Sequence, residues 1–380
     1  MPHYYDLLPS EEIESYGYPR FLEMPLTKAQ KKRAIQKVLT IKDHLVVSDV
    51  PYKRDDNLLV CNWNLKEFGQ SHKHPEFYYY IAEIMFAFDL IVIQEVRRSI
   101  RELQILSNIL GDNWTYIIND VTEGNEGNSE RSAILYDTKR VDFSGFSGEL
   151  VVAGGPQLKR TPHITGFLTA WKHFSIVNVH LDPGESPVNA SLRKKELQLI
   201  MDTLEPKLDT GGLGYENILI SGDFNFYPSI DDDAIELLGQ YDFKQLDKLS
   251  SVDSTLAQNN YTYDRLFIKR DKYFELIKDD NGNENGGVVE FRSLFEDDPA
   301  TYKSMAKADY ERRNPNKTLS DSYYTTYFWV HWLSRQISDH YPIWLEINTD
   351  SSTRYLERKY VKLVNLDTSE KQHRRRYRSL

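Results

Sequence analysis

The sequence predicts an α/β (α+β) fold, a four-layer sandwich in which two packed mixed β-sheets are flanked by helices. From Asn57 onward, apolar strand-like runs alternate with helical stretches. Several neighbouring strands are joined by connections too short to hold a crossover helix, which argues against an all-parallel sheet. A chain of 380 residues, 40% of them hydrophobic, is long enough to bury such a core.

The predicted elements follow an N-terminal extension, residues 1–56. Its stretch "LTKAQKKRAIQKVLTIKDHL" has apolar residues at helical spacing, which predicts a helix packed on the main domain, residues 57–348. The main domain begins with the strand "LLVCNWNL". In order, the later predicted elements are a helix at 75–88, strand "LIVIQEV", a helix at 98–110, strands "WTYIIND" and "SAILYD", strands within "GFLTAWKHFSIVNVHL", a helix at 188–204, strand "NILISGDFNF", a helix at 231–238, and strands "YTYDRLFIKR" and "YPIWLEI".

Two segments do not follow this alternation. Residues 271–336 form a predicted insertion, which contains the loop "DDNGNENGG" and a polar, tyrosine-rich stretch without clear periodicity. The tail, residues 349–380, ends in the basic run "HRRRYR". We expect this tail to be solvated and disordered, and a non-specific phosphate-binding arm is the alternative.

Composition bears on the cellular setting more than on the activity. The single cysteine, Cys61, lies in an apolar strand, so we expect a buried, inert thiol and a reducing compartment. The chain shows no secretory signal and no apolar run of membrane-spanning length, which predicts a cytoplasmic protein, with non-classical export left open. The net charge of −10 argues against long-range attraction to nucleic acid, but bound cations would reverse the field locally.

Polar side chains recur where apolar strands end or begin. Those that close strands are Asn64, Glu95, His180, Asp223 and Asn225, and those that precede strands are Asp264, Asp339 and His340. If neighbouring strands alternate in direction, all these groups lie on one rim of the sheets. Each residue alone has an ordinary explanation as a cap, a turn residue or a surface group. Their combination is harder to explain without a bound cation.

Four of these residues predict a divalent metal site: Asn64, Glu95, Asp223 and Asp339. Mg²⁺ prefers such carboxylate and amide oxygens; Mn²⁺ could replace it, and Ca²⁺ could have a structural role. No cysteine pair or His-x-x-x-His helix indicates zinc.

Two histidines complete what phosphodiester hydrolysis requires. The reaction needs charge neutralisation, a deprotonated water and a proton for the departing oxygen. His180 and His340 could divide the two proton transfers if a carboxylate oriented each of them. Glu130 and Asp264 are two acids outside the metal set that could do so.

Eight short stretches form an ordered set of motifs across residues 57–348. They are "NWNLKEFG", "FDLIVIQEVRRS", "GNSERSAILY", "KRTP", "VNVHLDP", "SGDFNF", "YDRLF" and "SDHYP". As a set they resemble the endonuclease/exonuclease/phosphatase superfamily, and within it the deoxyribonuclease I branch. The resemblance implies a deoxyribonuclease I-like fold and a metal-dependent endonuclease that leaves 5′-phosphate and 3′-hydroxyl ends on DNA.

The resemblance also implies a role for each matching residue. It assigns the metal to Glu95, Asn64 and Asp339; the scissile phosphate, attacking water or a second ion to Asp223 and Asn225; and the acid–base couples to His180 with Glu130 and His340 with Asp264. Arg97, Ser99 and Arg160 match positions that grip DNA phosphates in that branch. Solvated surface is the alternative interpretation of these three residues.

Departures from the branch leave the substrate open. Asn128 stands where the nuclease has a tyrosine, the disulfides have no counterpart, and the segment between Asp264 and Asp339 is much longer. Ribonucleases and phosphatases or phosphodiesterases of phosphoinositides or other small phosphoesters are the alternatives. Inositol phosphatases fit less well, because "YTYDR" stands here in place of their "WCDR". An inactive binding module is a further alternative, although every expected site residue is present.

Overall fold

Long apolar strands build two six-stranded sheets in the computed structural model. The structure describes residues 1–70, 73–121, 129–152, 158–209, 217–258, 260–271 and 274–377. Asn128 lies outside these residues. The first sheet has the order β11-β12-β1-β2-β4-β3, with β1 at Asn57–Phe68, β2 at Leu90–Val96, β3 at Trp114–Ile118, β4 at Arg131–Asp137, β11 at Gly286–Val288 and β12 at Ile343–Asn348.

The second sheet packs against the first. Its order is β5-β6-β7-β8-β10-β9, with β5 at Asp142–Glu149, β6 at His163–Thr169, β7 at Lys172–His180, β8 at Ile218–Asp223, β9 at Lys244–Gln245 and β10 at Asp264–Lys269. Both sheets mix parallel and antiparallel pairs, because β1 and β2 are parallel, as are β7 and β8, and the other pairs are antiparallel. The predicted mixed sheets are therefore confirmed.

Helices cover the outer face of each sheet. Over the first sheet lie α2 at Lys28–Val47, α3 at Pro75–Phe86, α4 at Arg101–Leu110, α8 at Pro299–Arg313, α9 at Asp321–Tyr327 and α10 at Leu333–Gln336. Over the second sheet lie α5 at Pro187–Asp209 and α6 at Asp232–Gln240. A third apolar cluster fills the space between the sheets, with Val60, Val92 and Ile176 among its members. The four-layer sandwich is thus confirmed.

The N-terminal extension packs closely on the first sheet's helices. After a short helix, α1 at Ser10–Tyr16, Thr27 and Gln30 form a capping box that starts α2. The inner face of α2 is buried against α3. Arg33 of α2 also donates two hydrogen bonds, of 2.9 and 2.7 Å, to the fully buried carboxylate of Glu76.

The structure differs from the sequence prediction in the two aperiodic segments. The insertion contains α8, α9 and α10, with one π-helical turn at Phe328–Trp332 before α10. The expectation of a disordered tail was wrong, because Ser352–Tyr377 forms a helix, α11. Two short helices, α1 and α7 at Asp247–Ser250, and three strands, β5, β9 and β11, were also not predicted. Within the described residues, no helix combines the length and apolarity needed to cross a bilayer.

Strand direction brings the predicted residues to one edge. Asn64 and Glu95 lie at the carboxyl ends of the parallel strands β1 and β2, and His180 and Asp223 close the parallel strands β7 and β8. Strands β10 and β12 run antiparallel to their neighbours, so their starts meet the same rim. Asp264 therefore pairs directly with Asp223 across β8 and β10.

Candidate active site

Left-handed backbone conformations cluster where the strands reach this rim. Glu95 has φ 58° and Asn225 has φ 49°, while Lys66 and Glu67, just after Asn64, have φ 40° and 46°. Non-glycine residues seldom adopt such angles, and when they do they are often found where function requires an unusual backbone. Irregular pairing at the ends of β1 and β2 accompanies these turns. The turns redirect the side chains from the sheet into the space above it.

Three predicted metal-site residues meet above the strand ends. The Asn64 amide donates hydrogen bonds of 3.0 Å to Glu95 Oε1 and 3.0 Å to Asp223 Oδ2, which joins the first sheet to the second. The backbone N–H of Glu67 donates to Glu95 Oε2 at 2.8 Å, and that of Asn225 donates to Asp223 Oδ1 at 2.9 Å. Both carboxylates are therefore held in fixed orientations.

His180 forms the first histidine–carboxylate couple. Its Nδ1 lies 3.2 Å from Glu130 Oε2. Two guanidinium groups also reach Glu130, from Arg97 at 3.0 Å and from Arg160 at 3.1 Å. Burial alone would raise the pKa of Glu130, but the hydrogen bond to His180 and the charges of His180, Arg160 and Arg97 outweigh it and lower that pKa to about 2. Glu130 is thus a carboxylate at neutral pH.

His340 forms the second couple and is more deeply enclosed. Its Nδ1 lies 2.7 Å from Oδ2 of Asp264, which is itself fully buried. Burial tends to lower the pKa of His340, but the charges of Asp264, Asp223 and Asp339 and the hydrogen bond to Asp264 raise it to about 10. The proton of this pair therefore belongs to the imidazole.

The two imidazoles face the same carboxylate oxygen. Nε2 of His180 lies 3.6 Å from Asp223 Oδ2, and Nε2 of His340 lies 3.8 Å from the same atom. One potential ligand atom each from Glu95, His180 and Asp223 lies within 4.8 Å of the other two, which is close enough for one metal ion. The predicted metal ligands were Asn64, Glu95, Asp223 and Asp339. The group in the structure differs from that set because it contains His180, which was predicted for acid–base chemistry.

Asp339 is arranged differently from the other predicted metal residues. The ammonium group of Lys66 forms a short ion pair with its carboxylate. The sequence motif "NWNLKEFG" contained Lys66, but no pattern in the chain indicated that it would lie beside Asp339. A bound cation near Asp339 would have to share this carboxylate with the lysine.

The two remaining predicted site residues, Asn225 and Ser99, are placed differently. Asn225 donates its side-chain amide to the carbonyl of Leu181 at 3.0 Å, beside His180. Ser99 lies farther along the chain after Glu95, where its hydroxyl accepts a 3.4 Å hydrogen bond from the backbone N–H of Arg101. Ser99 therefore touches none of the histidine–carboxylate couples in the hydrogen bonds described.

A buried polar network under the rim was missed in the sequence. Gln94 donates to Asn62 at 2.8 Å and to Asn178 at 2.7 Å, which links the two sheets, and Asn62 donates to Asp264 at 3.3 Å. Within the first sheet, Ser338 ties the segment before β12 to β1, because its hydroxyl donates to the Asn64 carbonyl at 2.6 Å and accepts from the backbone N–H of His340. Polar residues inside otherwise apolar strands were the available signal.

Comparison with known proteins adds sequence similarity to these observations. The chain is 25% identical to deoxyribonuclease-1 of Rattus norvegicus over 227 residues, covering 56% of this chain and 76% of that protein. It is 23% identical to deoxyribonuclease-1 of Homo sapiens over 228 residues, covering 56% and 77%. No protein-family model matches the chain.

Two similar solved structures have TM-scores below 0.5. The human nocturnin catalytic domain is 15% identical with a TM-score of 0.47, and the match covers 78% of this chain and 96% of that domain. An endonuclease/exonuclease/phosphatase from Bacteroides vulgatus is 13% identical with a TM-score of 0.45, covering 77% and 99%. In its ordered motifs, its two-sheet fold and its similarity to deoxyribonuclease-1, the chain resembles the endonuclease/exonuclease/phosphatase superfamily.

Proposed function

We propose that the protein is a divalent-metal-dependent endonuclease that hydrolyses DNA phosphodiester bonds. The observation that carries this proposal is the pair of histidine–carboxylate couples whose Nε2 atoms converge on Asp223. A phosphodiester seated beside Asp223 would have one imidazole on each side. Such an arrangement supplies both of the proton transfers that hydrolysis requires.

The metal would be held by the oxygen-rich side of the centre. Glu95 and Asp223 have the carboxylate oxygens that Mg²⁺ prefers, and hydrogen bonds from the Asn64 amide fix the distance between them. His180 completes a group whose ligand atoms lie within 4.8 Å of one another. Asp339 is a further candidate ligand on the same rim. When bound, the cation would neutralise charge on the non-bridging phosphate oxygens and polarise the phosphorus. Mg²⁺ is the expected ion, and Mn²⁺ the expected substitute.

The chain's own residues would move the protons. One imidazole would take a proton from the attacking water, while the other would give a proton to the departing 3′ oxygen. Glu130 orients His180, and Asp264 orients His340, so that each Nε2 faces the substrate. Each carboxylate also stabilises the imidazolium that forms beside it. Asn225, on the turn after Asp223, would hold a phosphate oxygen or the water.

A polyanionic substrate fits the charges at this rim. Arg97 and Arg160 place two guanidinium groups beside Glu130, next to His180. In a chain of net charge −10, local positive charge is what a nucleic-acid strand needs near the reacting phosphate. These arginines match the phosphate-contacting positions of the deoxyribonuclease I branch, whereas "YTYDR" does not match inositol phosphatases. DNA is therefore the preferred candidate substrate.

A substrate panel tests the proposal. Purified protein with Mg²⁺ is incubated with supercoiled plasmid, linear duplex DNA, single-stranded DNA, RNA and inositol phosphates. We expect nicking and then linearisation of the plasmid, with products that end in 5′-phosphate. Cleavage of RNA alone, or phosphate release from inositol phosphates without DNA cleavage, would assign the site to the alternative substrates.

Metal dependence is tested on the same plasmid. Chelation should abolish cleavage, and Mg²⁺ or Mn²⁺ should restore it. Restoration by zinc alone would contradict the oxygen-ligand site.

A further inference from the structure

The C-terminal helix α11 has an apolar stripe that is largely exposed in the described structure. Leu356, Tyr360 and Leu363 are 64%, 70% and 62% exposed. Their spacing of four and three residues places them on one face of the helix. A helix in water gains most of its stability by burying such a face, so this stripe is suited to a partner surface.

Basic residues outnumber acidic residues in the same helix. Between Ser352 and Tyr377 the sequence has eight lysines and arginines but three aspartates and glutamates. The whole chain carries −10, so the helix is positive while the remainder of the chain is acidic. Lys359 and Lys362 are exposed in the same turns as the apolar stripe. A helix with one apolar face and a basic polar face is typical of segments that lie on anionic membranes.

A second feature lies at the root of α11. Trp171, in the turn between β6 and β7, is 50% exposed, and its ring lies 5.4 Å from that of Tyr355. Exposed tryptophan and tyrosine side chains suit the boundary between water and lipid, because each has an apolar ring and a polar group. An aromatic pair and an amphipathic basic helix therefore occupy the same end of the molecule.

This end is opposite the candidate active site. Strand β7 runs from Lys172, beside Trp171, to His180 in the site. At about 3.3 Å per residue, the nine residues of β7 separate the two ends by roughly 30 Å. Similarly, β12 begins beside His340 and ends shortly before α11.

We propose that α11 docks the protein on the surface of an anionic lipid bilayer, with Leu356, Tyr360 and Leu363 entering the boundary of the acyl chains. Charge favours this occupant over a second copy of the helix, because two basic helices would repel each other. Nucleic acid could neutralise the lysines but would leave the stripe in water. In the docked state the candidate active site faces the solution, so it would act on a soluble substrate rather than on the lipid beneath it.

Vesicle binding by the full-length protein tests this proposal without using activity. The probes are vesicles of phosphatidylcholine alone and vesicles that also contain about 30% phosphatidylglycerol, an anionic lipid that makes the surface strongly negative. We expect co-sedimentation with the anionic vesicles only, weakened by salt. Leu356→Ser with Leu363→Ser should reduce the bound fraction at least about tenfold, since the stripe loses its apolar contact.

Charge is tested separately with a matched control. Lys359→Gln with Lys362→Gln should also weaken binding, whereas Lys28→Gln with Lys32→Gln, which removes the same charge from exposed positions near the start of α2, should leave it unchanged. Equal losses in both pairs would contradict a role specific to α11.

Three outcomes would overturn the proposal. The first is that the protein does not bind anionic vesicles. The second is a concentration-dependent dimer in solution that the double variant Leu356→Ser with Leu363→Ser abolishes. The third is that, in the absence of vesicles, the same double variant no longer binds duplex DNA. The second would show that a copy of the chain covers the stripe, and the third that nucleic acid does. Because vesicle binding is measured without substrate, the result is independent of whether the protein cleaves DNA.

Discussion

At the scale of single residues, the proposed chemistry depends on two imidazoles that cannot replace one another. His180 and His340 approach Asp223 from different strands, and each has its own carboxylate partner. Replacing either by alanine should lower the turnover number for plasmid cleavage at least about 100-fold, because one proton transfer then lacks its catalyst. Initial rates of plasmid nicking under saturating Mg²⁺ measure the effect.

A third histidine provides the matched control for these variants. His173 is exposed and lies on the same strand as His180, at the far end. His173→Ala should retain nearly full activity, and circular dichroism should show that all three variants are folded. Near-normal nicking by both His180→Ala and His340→Ala would reject the assignment.

A buried histidine outside the site predicts a pH dependence of stability. Burial lowers the pKa of His163 to about 4, and its Nε2 lies 2.7 Å from the Ser147 hydroxyl. The unfolded chain takes up this proton below pH 6.5, but the folded chain takes it up only near pH 4. Between these values the unfolded state binds more protons, so the free energy of unfolding falls as the pH falls.

Replacing that histidine should remove this part of the pH dependence. Between pH 7 and pH 4, the free energy of unfolding of the wild type should fall by about 2 to 3 kcal/mol more than that of His163→Gln. Urea denaturation at pH 7, 5.5 and 4 measures it, and His173→Gln is the exposed control. If the free energies of unfolding of wild type and His163→Gln changed equally with pH, His163 would have the same pKa in the folded and unfolded states, and the prediction would be wrong.

The sequence indicated which residues would meet, but not every contact between them. Strand ends and motif order were sufficient to predict that Asn64, Glu95 and Asp223 share a rim, because strand direction brings these positions together. The ion pair between Lys66 and Asp339 depends on the left-handed turn after Asn64. That turn joins residues 273 positions apart, and local sequence carries no signal for such a contact.

At the scale of elements, the parallel pair β7 and β8 needs a glycine at its closest approach. A Cβ added at Gly222 would lie 1.9 Å from the backbone oxygen of Val179, which cannot move without separating the strands. Gly222→Ala should therefore lower the free energy of unfolding by at least about 2 kcal/mol. Because Asp223 and His180 are the next paired residues, activity should fall as well.

A glycine elsewhere in the same sheet is the control for that substitution. A Cβ at Gly148 in β5 meets no atom within 4 Å, so Gly148→Ala should change stability by less than about 1 kcal/mol. Guanidinium denaturation of the two variants gives the comparison. If both substitutions were equally tolerated, the close packing of β7 on β8 would be disproved.

Elements were predictable where periodicity was strong. The helix at Pro75–Phe86 and the strand at Leu90–Val96 have clear apolar patterns and formed as expected. The helices of the insertion were missed because their tyrosine-rich sequences bury aromatic rings without a regular apolar stripe. In α9 and the π-helical turn that follows, for example, Tyr324, Tyr327 and Phe328 are buried side by side.

At the scale of the whole molecule, the chain's division into parts is still a prediction. The sequence suggests an extension at 1–56, a catalytic domain at 57–348 and a tail at 349–380. In the structure, however, α2 contacts both α3 and the insertion, where Lys37 forms a 2.7 Å ion pair with Asp298. The extension and the insertion therefore form one layer over the first sheet, and we expect that the catalytic domain cannot fold stably without 1–56.

The ion pair between Arg33 and Glu76 tests this integration of the extension. Burial raises the pKa of Glu76, and the hydrogen bonds and charge of Arg33 oppose that rise. Arg33→Met would remove the guanidinium that forms the ion pair with a fully buried carboxylate, so it should lower the free energy of unfolding by about 3 kcal/mol. The double variant Arg33→Met with Glu76→Gln should recover most of this loss, since no buried charge remains.

A surface pair in the same extension shows what an incidental contact would do. Arg20 and Glu14 lie 3.6 Å apart and are both largely accessible to water, so Arg20→Met should cost less than about 1 kcal/mol. Chemical denaturation of the single and double variants gives the coupling energy between Arg33 and Glu76. If Arg33→Met were as harmless as Arg20→Met, the extension would be a separable appendage. A large coupling energy would instead mean that α2 is part of the folding unit that supports the candidate active site.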